Sequence, residues 1–210
     1  MIISHRHRLI YFSIPKTGSE AVRRYLSPIS EVEIVRFARR TPKKPFYSHM
    51  RPCEAQQTFA ELGWEFGDYS KIATVRNPWA RLASLFAMME RQKQRRFHGN
   101  FSAWLSTLEP TRPQDPTRSE KWWCHGSMTI EAFMAVPGDN CAYRAFRLED
   151  GLERLSSYLE SSGVATLGKT VEAVNGAPEP YDYRDYYTAR DRALVAELYA
   201  SEIERFEYQF

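Results

Sequence analysis

The chain has 210 residues, enough for one large domain with a sizeable core, and 43% hydrophobic with 26% charged residues is the balance of an ordinary globular protein. Twenty-nine Lys and Arg against 26 Asp and Glu leave a net charge of +3, too small for a protein that coats nucleic acid. Cys53, Cys124 and Cys141 are odd in number and lack C-x-x-C spacing, which argues against a disulfide framework and a zinc site and suits a reducing compartment. No stretch approaches the roughly 20 apolar residues that span a bilayer. The N-terminal apolar run, ended by Pro15 and Lys16, is too short for a signal peptide. A cytoplasmic protein is expected.

In chain order, Arg8 to Ile14 is rich in β-formers and stops at Pro15-Lys16-Thr17-Gly18-Ser19. Ala21, Val22, Tyr25 and Leu26 then recur at helical spacing. Glu31 to Phe37 alternates as a strand does, and Arg39 to Pro45 is a basic, proline-broken loop. After the short aromatic run Phe46 to His49, Pro52 opens a helix through Leu62 that Gly63 closes. Ser70 to Arg76 reads as a buried strand, halted by Asn77 as helix cap and Pro78 as first helical residue. The following helix carries Leu82, Leu85, Phe86 and Met89 on one stripe, with Asn77, Ala80 and Ser84 on roughly the opposite face. Glu109 to Ser127 reads as irregular, a candidate lid or substrate loop. Cys141 to Leu148 reads as a strand, Asp150 to Ser161 as a helix, and Thr188 starts a closing helix with Val195, Leu198, Tyr199, Ile203 and Phe206 at core spacing. Strands alternating with helices predict an α/β fold, a mostly parallel sheet flanked by helices, in one domain over 1–210.

The strand–loop–helix at the start is a ready anion cradle. Backbone N–H groups and the positive end of the helix dipole face the loop, and Lys16 adds a full charge. The anion is a phosphate or a sulfate. A Walker loop would need Gly at the positions of Ile10 and Pro15, so a nucleotide kinase is disfavoured, and no convincing acidic pair for magnesium stands nearby.

"IPKTGSEAV", followed further along by "VRNPWARLASLF", resembles the sulfotransferases that use 3′-phosphoadenosine 5′-phosphosulfate (PAPS), specifically the carbohydrate-type family 2. The first stretch is similar to their 5′-phosphosulfate loop P-K-T-G-[GS]. Arg76 to Ser84 is similar to their 3′-phosphate element R-[ND]-P-x-x-R-x-x-S. His49, the run Arg147 to Asp150 and the C-terminal "YRDYYTARDRALVAELYASEIERFEYQF" add to the resemblance, which spans nearly the whole chain.

The resemblance implies a P-loop-like sulfotransferase fold and in-line transfer of a sulfuryl group from PAPS to a hydroxyl, on a carbohydrate or glycoconjugate, without a metal. It implies that Lys16 acts on the bridging oxygen of the leaving phosphate. The N–H groups of Thr17, Gly18 and Ser19, helped by their hydroxyls, cradle the 5′-phosphate, and Arg76 and Ser84 hold the 3′-phosphate. His49 is the first choice of general base because its unperturbed pKa lies near neutrality; Glu20 and Glu54 are alternatives. Glu20 departs from the Thr or Ser usual there, and its carboxylate repels an anion unless it points outward or pairs with Arg23 or Arg24.

Weighed against these readings, Ser84 also suits a helix's wet face, and a histidine near a strand end often serves structure alone. His5, His7, His98 and His125 show no ligand spacing. Trp104 reads as a core plug, whereas Trp122 and Trp123 suit either packing or stacking on a sugar. Tyr183 to Tyr187, with Arg184, suit either packing or a nucleotide contact. The basic run Arg91 to Arg96 reads as a solvated helix face or a dock for an acidic acceptor. The rival functions are a sensor module that binds PAPS or its product without turnover, and a nucleic-acid binder with steep salt dependence.

Overall fold

A computed structural model describes residues 1–92, 99–111, 123–138, 141–164 and 182–210. The chain divides into two compact units, Met1–Val75 with Met134–Asn175, and Arg76–Phe133 with Gly176–Phe210.

The first unit holds a sheet of four strands, β1 (Ile2–Ser4), β2 (Leu9–Phe12), β3 (Ser70–Val75) and β4 (Arg144–Arg147), in the order β1-β2-β3-β4. β1 runs antiparallel to β2, and β2, β3 and β4 are mutually parallel, with Tyr11 opposite Ile72 and Thr74 opposite Phe146. Every residue of β2 and the last four of β3 are buried, the pattern of strands covered on both faces. On one face Leu9, Tyr11, Ile72 and Phe146 meet Ala21, Val22 and Leu26 of α1 (Ser19–Leu26) and Leu155 and Leu159 of α7 (Glu153–Ser161). Strand alternation sends Phe12 to the other face, where its ring lies 6.4 Å from Phe66, itself 5.4 Å from Phe59 of α2 (Pro52–Glu61). The fold is therefore α/β, a mostly parallel sheet flanked by helices.

The second unit is helical: α3 (Pro78–Arg91), α4 (Phe101–Leu105), α5 (Trp123–Ser127), most of α6 (Ile130–Met134), α8 (Ala189–Leu198) and α9 (Ala200–Arg205). Leu82, Leu85, Phe86 and Met89 of α3 are buried with Trp104, Val195, Tyr199 and Tyr208, as their spacing predicts. Trp104 is a core plug with no exposed surface. Tyr183, Tyr186 and Tyr187 pack onto this core, Tyr187 donating a hydrogen bond to the Trp79 carbonyl, while Arg184 pairs with Asp182.

Several boundaries differ from the sequence reading. Glu31 to Phe37 is not a strand; its alternation finds only an isolated bridge between Val35 and Tyr47, and Phe37–Arg39 is a 3-10 turn. A strand needs a partner paired along its length, and among the described residues the pairing here is confined to Val35 against Phe46 to Ser48. β1 is a strand the sequence reading lacks. Leu148–Asp150 form a 3-10 turn, so the helix expected from Asp150 begins at Glu153. Trp123–Ser127, expected to be irregular, is the short helix α5. The closing helix breaks at Tyr199, whose buried ring separates α8 from α9. Trp122, His98 and all of the basic run beyond Arg91 and Gln92 lie outside the described residues, as does the centre of the expected lid.

Candidate active site

The end of β2 leads directly into the loop on which the sequence reading rests. Pro15 and Lys16 form a turn, and Lys16 (φ 66°) and Gly18 (φ 75°) both take left-handed backbone. The φ of Gly18 favours glycine, and a Cβ there would stand 2.8 Å from the end of the Leu148 side chain, which would have to shift. For Lys16 the same backbone is a local cost, held in place by its surroundings. α1 begins immediately after, and no side chain caps its first turn. Uncapped N–H groups at a helix start are what an anion needs.

Thr17 turns inward. Its hydroxyl donates to the Ile14 carbonyl at 2.9 Å and lies 3.1 Å from the Thr74 hydroxyl, which lies 2.7 Å from that of Tyr11. The Thr17 hydroxyl is thus engaged inside the fold in this structure. Burial also holds the Tyr11 phenol well above its ordinary range, so it stays neutral.

Glu20 resolves between its two alternatives. Its carboxylate accepts from Arg23 and lies 3.5 Å from Arg24, so it is paired along its own helix. Arg23 also donates to the Ser48 hydroxyl at 2.9 Å, tying α1 to the residue before His49. Glu54 is likewise occupied: it accepts from the Tyr47 hydroxyl at 2.8 Å and from the Arg51 backbone at 3.2 Å, closing the capping box of α2. Both carboxylates have partners within their own elements.

His49 is half-buried, with Nδ1 2.7 Å from the Ser13 carbonyl. A carbonyl only accepts, so Nδ1 donates in this bond. The bond ties His49 to the loop two residues before Pro15. The first unit thus gathers Lys16, Thr17, Gly18, Ser19 and His49 around one turn.

Arg76 and Ser84 belong to the second unit, and both are half-buried. Asn77 caps α3 as expected, its Oδ1 accepting from the Trp79 and Ala80 N–H groups, and its Nδ2 donates to the Gln209 carbonyl at 2.7 Å. Seven residues from Asn77 to Ser84 are about two turns, so Ser84 lies on the cap's side of the helix.

Sequence reading gave no role to Arg81 of the same element. It is fully buried, donates to the Met128 carbonyl at 2.8 Å, and pairs with the equally buried Glu202 at 2.7 Å. Glu202 also accepts from the Ile130 N–H at 2.7 Å. Burial pushes its carboxyl up to about 7, against the pull of Arg81. The available signal was Glu202's place on the core stripe Val195, Tyr199, Phe206. A buried carboxylate needs a cation, and Arg81 is that cation.

The family model described as the sulfotransferase family matches residues 1–163, which include the Lys16 loop, His49, Arg76 and Ser84. The match ends before the C-terminal helices. A crystal structure of a sulfotransferase from Alicyclobacillus acidocaldarius is similar over 95% of this chain and 99% of that one, with 14% identity and a TM-score of 0.48. No curated protein matches the chain. With well over half its length matched, the chain belongs to the sulfotransferase family.

Proposed function

We propose that the protein transfers a sulfuryl group from PAPS to a hydroxyl of a carbohydrate or glycoconjugate, in the reducing environment that three widely spaced cysteines without C-x-x-C spacing suit, with 1–210 as one catalytic domain. The observation that carries this reading is the uncapped start of α1 behind Lys16 and Gly18, an anion cradle with a lysine in its turn. Among the described residues no helix is long and apolar enough to cross a membrane.

In this reading the bound donor supplies the sulfuryl group, and the residues do the rest. The N–H groups of Thr17, Gly18 and Ser19 hold the 5′-phosphate, and Arg76 and Ser84 hold the 3′-phosphate. Lys16 compensates charge on the leaving phosphate as its bond to sulfur breaks, in place of a metal. His49 Nε2 takes the proton from the acceptor hydroxyl as oxygen bonds to sulfur.

The test is calorimetry paired with a transfer screen using labelled PAPS across sugars, lipids and phenols. The wild type should bind 3′-phosphoadenosine 5′-phosphate (PAP) much more tightly than 5′-AMP, and Arg76→Ala should erase that preference, a loss of roughly 1.5–3 kcal/mol. Lys16→Ala should lower kcat on the order of 10²–10³, and His49→Gln should abolish most turnover with PAP affinity intact. Equal affinity for the two nucleotides sinks the assignment. Tight PAP binding with no turnover on any acceptor makes the protein a nucleotide sensor instead.

A further inference from the structure

The three hydroxyls of Tyr11, Thr74 and Thr17 are buried and hydrogen-bonded in series, and proton counting fixes their direction. Thr17 must donate to the Ile14 carbonyl, which only accepts, so its single proton is spent. Thr74 must then donate to Thr17, and Tyr11 to Thr74. The chain runs Tyr11 to Thr74 to Thr17 to Ile14, each hydroxyl giving one hydrogen bond and, after the first, receiving one.

It is built from the sheet outward. Tyr11 faces Ile72 across the β2–β3 ladder, and Thr74, two residues beyond Ile72, points to the same side. The last bond spans the Pro15–Lys16 turn, from Thr17 back to Ile14. Inside that span sits Lys16 with φ 66°, a backbone that turns usually reserve for Gly or Asn. A lysine there relaxes unless its neighbours are fixed, and both neighbours of the turn are fixed by this chain.

We infer that Thr74 and Tyr11 are positioning residues for sulfuryl transfer: through Thr17 they hold the left-handed backbone that aims Lys16. Neither touches the donor in this assignment. The inference rests on the proposed role of Lys16, and the test separates the two.

Two measurements decide it. Thr74→Val keeps the shape and removes the donor; its kcat should fall roughly tenfold to hundredfold, as small misplacements of a reacting group do, with a smaller change in KM for PAPS. Thr74→Ser restores the hydroxyl and should return kcat to near the wild-type value. The second measurement needs no substrate. Gly takes a positive φ without strain and Ala does not, so Lys16→Gly should melt about 2–4 °C above Lys16→Ala. In a Thr74→Val background the turn is free to relax, and that gap should close. Wild-type kcat in Thr74→Val, failure of Thr74→Ser to rescue, or an unchanged melting gap overturns the inference. If Lys16→Ala keeps full turnover while the gap behaves as described, Thr74 still braces the turn but does not position a reacting group, and both the inference and the role of Lys16 fall. If the gap is unchanged while Lys16→Ala is inactive, only the brace falls.

Discussion

The Lys16 loop in the first unit and helix α3 in the second are held by opposite means. The loop is braced by three neutral hydroxyls, whereas α3 is anchored by the buried ion pair of Arg81 and Glu202. A neutral hydrogen bond contributes about 0.5–1.5 kcal/mol, and losing one leaves a polar partner of modest cost. A buried ion pair contributes little net stability when intact, yet removing one partner strands a charge. The hydroxyl chain therefore weakens by degrees, and the ion pair fails at once. The two braces also differ in their response to pH, because the hydroxyls keep their protons across the range in which Glu202 titrates.

The largest effect expected tests the ion pair directly. Arg81→Met should cost about 3–5 kcal/mol of stability by chemical denaturation, because it leaves Glu202 without its cation. Arg81→Met with Glu202→Leu should recover most of that loss. A single variant of Arg81 with the stability of the wild type would erase the distinction between the two braces.

A smaller effect follows from protonation. Burial raises the Glu202 carboxyl from its ordinary range to about 7 in the folded protein. Between the ordinary carboxylate range and that value the folded chain keeps a proton that the unfolded chain has lost. Stability from this group is therefore lost as pH rises through that window. The melting temperature of the wild type, relative to that of Glu202→Gln, should fall from pH 5 to pH 8. A relative rise would mean that Arg81 outweighs burial.

The smallest effect concerns the exposed pairs of Glu20 with Arg23 and Arg24. Glu20→Gln should change stability by less than about 1 kcal/mol. It should also strengthen PAP binding by about two- to fivefold, because a carboxylate leaves the edge of the loop while two arginines remain. Weaker binding would give Glu20 a positive part in the site.

What was legible in the sequence was what is punctuated locally. Pro15 and Gly18 stop β2 and open α1, Asn77 and Pro78 begin α3, and Gly63 ends α2. Each signal lies within a few residues of the structure it sets. The hydroxyl chain was hidden because Tyr11 and Thr74 look like ordinary strand residues, and their meeting depends on the β2–β3 register. Arg81 and Glu202 lie 121 residues apart, beyond the reach of helical periodicity. The alternation of Glu31 to Phe37 misled for the converse reason: the local pattern was right, and pairing with the neighbouring segment stops at Val35.

The hydrogen bond from Asn77 to the Gln209 carbonyl joins residues 132 positions apart. The second unit is interrupted in sequence, with Arg76–Phe133 completed only by Gly176–Phe210. During synthesis α3 must therefore wait for the last stretch of chain before Asn77 Nδ2 finds the Gln209 carbonyl and Arg81 finds Glu202. Closing so long a loop is entropically unfavourable and slow, and until then Arg81 and the apolar stripe of α3 stand open to water and to chaperones. The sheet carrying the Lys16 loop has all its strands once Arg147 has emerged, so the anion cradle belongs to the part of the molecule that can fold first.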